Sequence, residues 1–152
     1  MKLSKGSFLA LAAIGWADGA LQRVESVGLL RAAKEAGISD ADLADVEKAT
    51  KEKTILDDLD LGEMSEFEQV LTYALASWFA SLDGVASTDE VTVLKALGDR
   101  LGLPDNLRKR AQATAFDIAC LPEGGRPDRF DFQKLTKRLA EKLPQLAPKG
   151  GE

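Results

Sequence analysis

The chain lacks histidine and has a single cysteine, and these absences exclude several classes of site. With no histidine among its 152 residues, it cannot form a Ser-His-Asp triad, a Cys-His pair or an imidazole base. Cys120 alone can make neither an internal disulfide nor a cysteine-histidine zinc site. The glycine-rich motif of phosphate-binding loops is also missing. The reactive groups that remain are mainly carboxylates.

Strand signals are scarce, which bears on the fold class. No segment alternates between apolar and polar residues over a useful length. Alanine, leucine, lysine and the acidic residues dominate, and these residues favour helices. The apolar share of 45% and the charged share of 30% are ordinary for a globular domain of this length. We therefore predict an all-α protein with one domain over residues 1–152.

The charge balance is acidic and narrows the choice of partners. The formal net charge is −5, and an acidic surface repels the phosphates of nucleic acid. The same surface suits divalent cations or basic protein surfaces. We expect no nucleic-acid partner.

An apolar run near the N-terminus has two interpretations. Lys2 and Lys5 precede the run 8–17, a layout found in secretory signal peptides. The run is too short to span a bilayer. The interior segment 73–82 has the same apolar character, and the same Asp-Gly pair follows both segments. We therefore expect a core helix at 8–17, a cytoplasmic protein and no direct membrane insertion.

The chain contains an internal repeat with an offset of 65 residues. Between 8–40 and 73–105, six residues are identical at this offset without a gap, whereas ordinary composition gives roughly two. The six pairs are Asp18 and Asp83, Gly19 and Gly84, Glu25 and Glu90, Leu29 and Leu94, Gly37 and Gly102, and Asp40 and Asp105. A repeat on this scale predicts two similar structural units. We expect a helical bundle built from two pseudo-symmetric helical-hairpin repeats.

Capping signals and apolar stripes predict about seven helices. Repeat one covers about 8–53, repeat two about 65–120, and a last helix about 128–143. The first helix of each repeat is expected at the centre of the bundle. Helices are expected to end at Gly37 and Gly102, and Ser39 and Ser65 are expected as N-caps, Ser65 in a capping box with Glu68.

The apolar stripes also predict which side chains face the core. We expect Val27 to point inward from the second helix and Val91 from the fifth. The connector at 55–63 is expected to pack four apolar side chains against the body, those of Ile55, Leu56, Leu59 and Leu61.

Each repeat carries one aspartate and one glutamate at the same spacing. Asp18 and Asp83 each end a predicted helix, and Glu25 and Glu90 lie near the start of the next. The turn between the helices reverses the chain, so the two carboxylates can face each other. A carboxylate at a helix C-terminus opposes the helix dipole, and a hard divalent cation would compensate for it. The pattern therefore nominates Asp18, Glu25, Asp83 and Glu90 as ligands for calcium or magnesium.

A purely structural interpretation accounts for the same residues. Asp-Gly is a common turn pair, because aspartate bonds its own backbone and glycine supplies a positive φ. A glutamate near a helix start favours the dipole, and Glu90 has capping-box spacing from Ser87. A repeated turn without any ligand therefore remains the alternative.

The repeated motif resembles the TerB-like family of bacterial tellurite-resistance proteins. The resemblance rests on Ala17-Asp18-Gly19 with Glu25, echoed by Asp83-Gly84 with Glu90, and covers about residues 8–116. It implies an all-helical bundle of paired repeats and metal binding by acidic residues, which map to Asp18, Glu25, Asp83 and Glu90. It also implies a role in tellurite and stress responses alongside membrane-associated partners.

Two functions remain open from the sequence. The first is a non-enzymatic, metal-binding stress-response domain of the TerB-like kind. The second is a protein-interaction adaptor that docks a partner through a helical face or through the acidic stretch 57–63. The first predicts that Ca²⁺ or Mg²⁺ stabilises the fold, and the second predicts a partner that depends on Asp57, Asp58 and Asp60.

Overall fold

The computed structural model is an all-helical bundle. It describes residues 4–17, 23–56, 59, 64–80, 88–119, 137–138 and 141. These residues hold six helices: α1 (Lys5–Trp16), α2 (Arg23–Glu35), α3 (Asp40–Lys51), α4 (Glu66–Ala80), α5 (Thr88–Leu101) and α6 (Asp105–Ala119). The described part of the chain contains no strand. The predicted all-α class is confirmed.

The two halves of the bundle follow the repeat seen in the sequence. Helices α2 and α5 start at residues 23 and 88, and α3 and α6 start at residues 40 and 105, both at the offset of 65. Gly37 and Gly102 end α2 and α5 with φ values of 77° and 68°. This left-handed conformation is accessible to glycine at little cost. The unit that repeats is thus a helical hairpin followed by a third helix.

The first helix of each unit lies at the centre, as predicted. α1 packs against α2, α3, α4 and α5, and α4 packs against α1, α5 and α6. Phe8 and Ile14 of α1 and Leu71 and Leu75 of α4 are among the fully buried side chains. Both helices are apolar on nearly every side, as expected for helices surrounded by others.

Two hydroxyl groups meet where the central helices cross. The Oγ of Ser7 lies 2.8 Å from the Oγ1 of Thr72, and both residues are fully buried. Ser7 and Thr72 are repeat equivalents, because they are 65 positions apart. A contact between equivalent residues is what an approximate two-fold axis produces, so the axis passes between α1 and α4 at this pair.

A carboxylate from the second repeat caps the first helix. Oε2 of Glu68 accepts hydrogen bonds from the backbone N–H of Ser4 at 2.7 Å and from the Ser7 hydroxyl at 2.9 Å. One of the free N–H groups at the start of α1 is thereby satisfied, and a negative charge lies at the positive end of the helix dipole. Ser65 caps α4, with its Oγ 3.2 Å from the Glu68 N–H, as predicted. The Glu68 side chain, which the sequence assigned to that same cap, instead links the two repeats.

Three apolar side chains predicted to face the core are exposed. Val27, Ile55 and Val91 each expose about half of their surface, so the predictions for them were wrong. On α5 the buried stripe runs through Glu90, Leu94, Leu97 and Leu101, and Val91 lies at its edge. In the connector, Leu56 is buried and Leu59 is partly buried, as predicted, and Leu61 lies outside the described residues.

The predicted seventh helix falls mainly outside the described residues. Within 128–143 only Lys137, Arg138 and Glu141 are described, and all three are helical and exposed. Among the helices that are described, none is both long and apolar enough for a membrane crossing.

Tyr73 occupies the position equivalent to Phe8 and brings one polar atom to the edge of the core. The residue is buried, and its hydroxyl accepts a hydrogen bond from Nε2 of Gln112 on α6 at 3.1 Å. Burial raises the pKa of the Tyr73 hydroxyl above its ordinary value of 10.0, because the charged phenolate loses solvation.

The hydroxyl pair can be tested by a double-mutant cycle. Thr72→Val keeps the shape and removes one buried hydrogen bond, so we expect a loss of about 1 kcal/mol in unfolding free energy. Ser7→Ala leaves the Thr72 hydroxyl and the Glu68 carboxylate short of a partner, so we expect a loss of about 1–3 kcal/mol. The double variant should lose less than the sum of the two, measured by urea unfolding. Strictly additive losses would contradict a direct interaction.

Tyr73 predicts a difference in stability at alkaline pH. Because the pKa is raised in the folded state, the unfolded state ionises first, and stability is lost as pH rises above about 10. Tyr73→Phe cannot ionise and should not show this part of the loss. The difference in unfolding free energy between wild type and variant should stay constant below about pH 10 and then move against the wild type. Parallel curves up to pH 11 would contradict the burial argument.

Candidate functional site

The buried stripe of α5 begins with a carboxylate. Glu90, Leu94, Leu97 and Leu101 recur at helical spacing and all are buried. Only 8% of Glu90 is exposed. A charged side chain in a position that packing would give to an apolar residue loses its solvation unless a hydrogen bond, an opposite charge or a cation compensates. Glu90 is therefore the most unusual residue of the described core.

Glu25 holds the equivalent place in the first repeat. It lies in the first turn of α2 and precedes Leu29, Ala32 and Ala36 on the same helical stripe. Glu25 is half-buried, Leu29 and Ala32 are fully buried, and Ala36 packs at the edge of the core. Each repeat thus places a glutamate at the head of a buried stripe. Both glutamates have an interaction partner in the folded chain, so neither is an isolated charge.

Helix-dipole stabilisation explains part of this placement. Negative charge in the first turn is favourable because the unsatisfied N–H groups carry positive partial charge. Asp89 lies in the same turn as Glu90 and is exposed. An exposed carboxylate supplies the dipole interaction without losing solvation. The helix dipole therefore explains why this turn has an acidic residue, but it does not explain why Glu90 is buried.

The other two predicted ligands cannot be placed. Asp18 and Asp83 lie outside the described residues, as do Gly19 and Gly84. Within the described residues, no group of three or more acidic side chains forms a cation site. A cation site at either corner would thus need oxygen atoms from the aspartates or from the turn backbone.

The backbone of Leu56 and Leu59, in the connector before α4, is held to α5 by an arginine. The Arg100 guanidinium donates hydrogen bonds to the carbonyl oxygens of Leu56 and Leu59, at 2.7 Å and 2.9 Å. Asp57 and Asp58 lie between these two residues in the chain and are outside the described residues. Arg100 thus fixes the backbone on both sides of the acidic pair to the second repeat.

Charged side chains also join the outer helices to the rest of the bundle. Lys5 of α1 lies 3.0 Å from Asp45 and 3.7 Å from Asp42 of α3. The hydrogen bond with Asp45 and its charge raise the pKa of the Lys5 ammonium. Arg108 of α6 donates to the Leu103 carbonyl at 2.7 Å and to Asp99 at 2.9 Å. Arg108 therefore faces α5 and does not share an exposed face with Lys109 and Arg110, which are exposed.

Some of these residues were missed by the sequence analysis although a signal was present. Ser7 and Thr72 are polar residues in otherwise apolar segments, and their separation equals the repeat offset. That combination marks residues on a symmetry axis. Arg100 and Glu68 carry no comparable signal, because their partners are far away in the chain.

Comparison of the chain with models of known protein families, with curated proteins and with solved structures gave no match.

Proposed function

We propose that the chain is a non-enzymatic domain of the TerB-like kind that binds a divalent cation at its duplicated corners. The observation that carries the proposal is the duplicated placement of a glutamate, buried Glu90 and half-buried Glu25, at the heads of equivalent core stripes. Calcium and magnesium prefer carboxylate and carbonyl oxygens, the groups available here. The metal ligands are Glu25 and Glu90, completed by Asp18 and Asp83.

The resemblance supplies the biological setting of the proposal. The TerB-like family is associated with tellurite and stress responses, and a cytoplasmic protein beside membrane-associated partners fits that association. The chain has no histidine and one cysteine, and this set of side chains supports a binding function more than a catalytic one. The chain would act by a metal-dependent change in stability or in shape at the corner between the first two helices of each repeat.

Cation binding predicts a metal-dependent increase in thermal stability. At a free concentration of Ca²⁺ or Mg²⁺ about 100 times the Kd, binding adds about 2.7 kcal/mol to the unfolding free energy. For a domain of this size that corresponds to a rise of roughly 5–10 °C in Tm. Glu90→Gln keeps the size of the side chain and removes its charge, so the rise should shrink by more than half. Differential scanning calorimetry measures the rise in Tm, and isothermal titration calorimetry measures the heat of metal binding.

Asp89→Asn is the matched control for this experiment. It removes the same charge from the same helical turn, but from an exposed side chain, and should keep the full metal response. Absence of heat and of any Tm shift at millimolar metal would reject the cation site. An equal response in Glu90→Gln and in wild type would reject Glu90 as a ligand.

A second candidate function is a protein-interaction adaptor. The anchoring of the Leu56 and Leu59 carbonyls by Arg100 favours it, because it fixes the chain on either side of Asp57 and Asp58. Anchored backbone at Leu56 and Leu59 reduces the conformational entropy that these two residues lose when a basic partner binds beside them. The adaptor would use Asp57, Asp58 and Asp60 as its contact residues.

The adaptor predicts a partner that depends on this segment. Replacement of Asp57, Asp58 and Asp60 by asparagine should abolish capture of the partner in a pull-down from cell extract. A control variant with Asp89→Asn, Glu52→Gln and Glu66→Gln removes the same charge from exposed sites and should retain capture. Full retention by the first variant would count against the acidic segment.

A further inference from the structure

Helices α3 and α6 are equivalent by the repeat, so a comparison of the two shows where the repeats have diverged. Their inner faces agree, because Val46 and Ala111 are fully buried at one pair of equivalent positions, and Ala49 and Thr114 are buried at another. The two helices therefore present equivalent outer faces to the solvent, and those faces differ in chemistry.

The charged side chains on the outer face of α3 form ion pairs with one another. Lys51 lies 2.9 Å from Glu47, and Lys48 lies 4.0 Å from Glu52, both one helical turn apart. At the positions equivalent to Glu47, Lys48 and Lys51, α6 has Gln112, Ala113 and Phe116. The second repeat has thus lost both pairs and gained an aromatic residue.

The α6 face, defined as Lys109, Arg110, Ala113 and Phe116, combines an exposed aromatic ring with two exposed positive charges, and the exposed Asp117 lies at its C-terminal edge. Lys109, Ala113 and Phe116 follow one another at helical spacing on the solvent side. Phe116 is 68% exposed, the largest exposure among the large apolar side chains described. Lys109 and Arg110 are exposed and form no ion pair with the described residues.

We propose that the α6 face docks a protein segment that carries acidic residues beside one large apolar side chain. Phe116 supplies the aromatic contact of the kind that anchors protein interfaces. Lys109 and Arg110 attract the acidic residues of the partner and set its orientation. The surface is independent of the proposed cation site, because Glu90 lies on α5 and is buried.

The charges of the described residues disfavour other occupants of the α6 face. A second copy docked α6 to α6 about a two-fold axis would bring Lys109 and Arg110 of both copies to one interface, where they repel. The α3 face of a second copy carries Lys48 and Lys51 at the positions equivalent to Ala113 and Phe116, so it is not a purely acidic match. An anionic bilayer is broad and would also meet the rest of a chain with a net charge of −5. A narrow acidic segment touches only the α6 face.

The test uses short helical peptides as probes. Each peptide carries two glutamates at varied spacing from one leucine or phenylalanine, and binding to the full chain is followed by fluorescence anisotropy. We expect at least one peptide to bind, more weakly as salt rises. Phe116→Ala should weaken that binding by about tenfold or more. Lys109→Ala with Arg110→Ala should weaken it to a similar degree and remove most of its salt dependence.

The equivalent helix provides the matched control. Lys48→Ala with Lys51→Ala removes the same charge from the equivalent face of α3, and should leave peptide binding within about twofold of wild type. Far-UV circular dichroism confirms that each variant is folded. Equal weakening by the α3 and α6 double variants would overturn the proposal, because it would show attraction by net charge alone. Absence of binding by every peptide would overturn it too, as would Phe116-dependent binding to phosphatidylserine vesicles in place of the peptides.

Discussion

The bundle depends on the packing of its two central helices, α1 and α4, and the buried contact between Ser7 and Thr72 lies within that packing. These hydroxyls lie 2.8 Å apart on the axis that relates the repeats, in an otherwise apolar crossing of the two central helices. A hydroxyl buried there without a partner would cost about 1–3 kcal/mol, so the contact favours the packing of one repeat against the other. The contact also selects one register, because a shift of either helix would separate the hydroxyls. Glu68 extends this link to the start of α1 through the Ser4 N–H.

Much of the fold could be predicted because local signals and the repeat agree. Gly37 and Gly102 end helices with a positive φ in both copies, and Ser39 caps α3 with its Oγ 3.2 Å from the Asp42 N–H. The exposed Val27 and Val91 could not be placed by the same reasoning. A helical pattern fixes the direction of a stripe only to within about one residue, and neighbouring helices decide which edge is covered. On α5 the buried position is that of Glu90. A search for apolar stripes cannot predict this, because it never selects a charged residue as buried.

The sequence nominated the residues of the candidate site, but it predicted their positions in the structure only in part. The repeat nominated Glu25 and Glu90, and both lie in equivalent first turns. That Glu90 is the more deeply buried of the two follows from tertiary packing, which the sequence does not encode locally. Asp18 and Asp83 lie outside the described residues, so their convergence on the glutamates stays a prediction. The long-range anchors, Arg100 and Glu68, depend on contacts that no local pattern can specify.

Most residues that are identical in the two repeats have a simple physical cause, and one pair needs a further explanation. Among the residues described, Gly37 and Gly102 are explained by a backbone conformation that favours glycine. Leu29 and Leu94 are explained by core packing, and Asp40 and Asp105 by exposed first turns, where negative charge meets the helix dipole. Glu25 and Glu90 are the remaining pair. Packing would place an apolar residue there, and the dipole would be satisfied by an exposed carboxylate. Both glutamates have an interaction partner in the folded chain, so the repeat does not place an isolated charge at either corner. What the repeat does place is one carboxylate at the head of an equivalent core stripe in each copy, and this duplicated position is what nominates the pair as cation ligands.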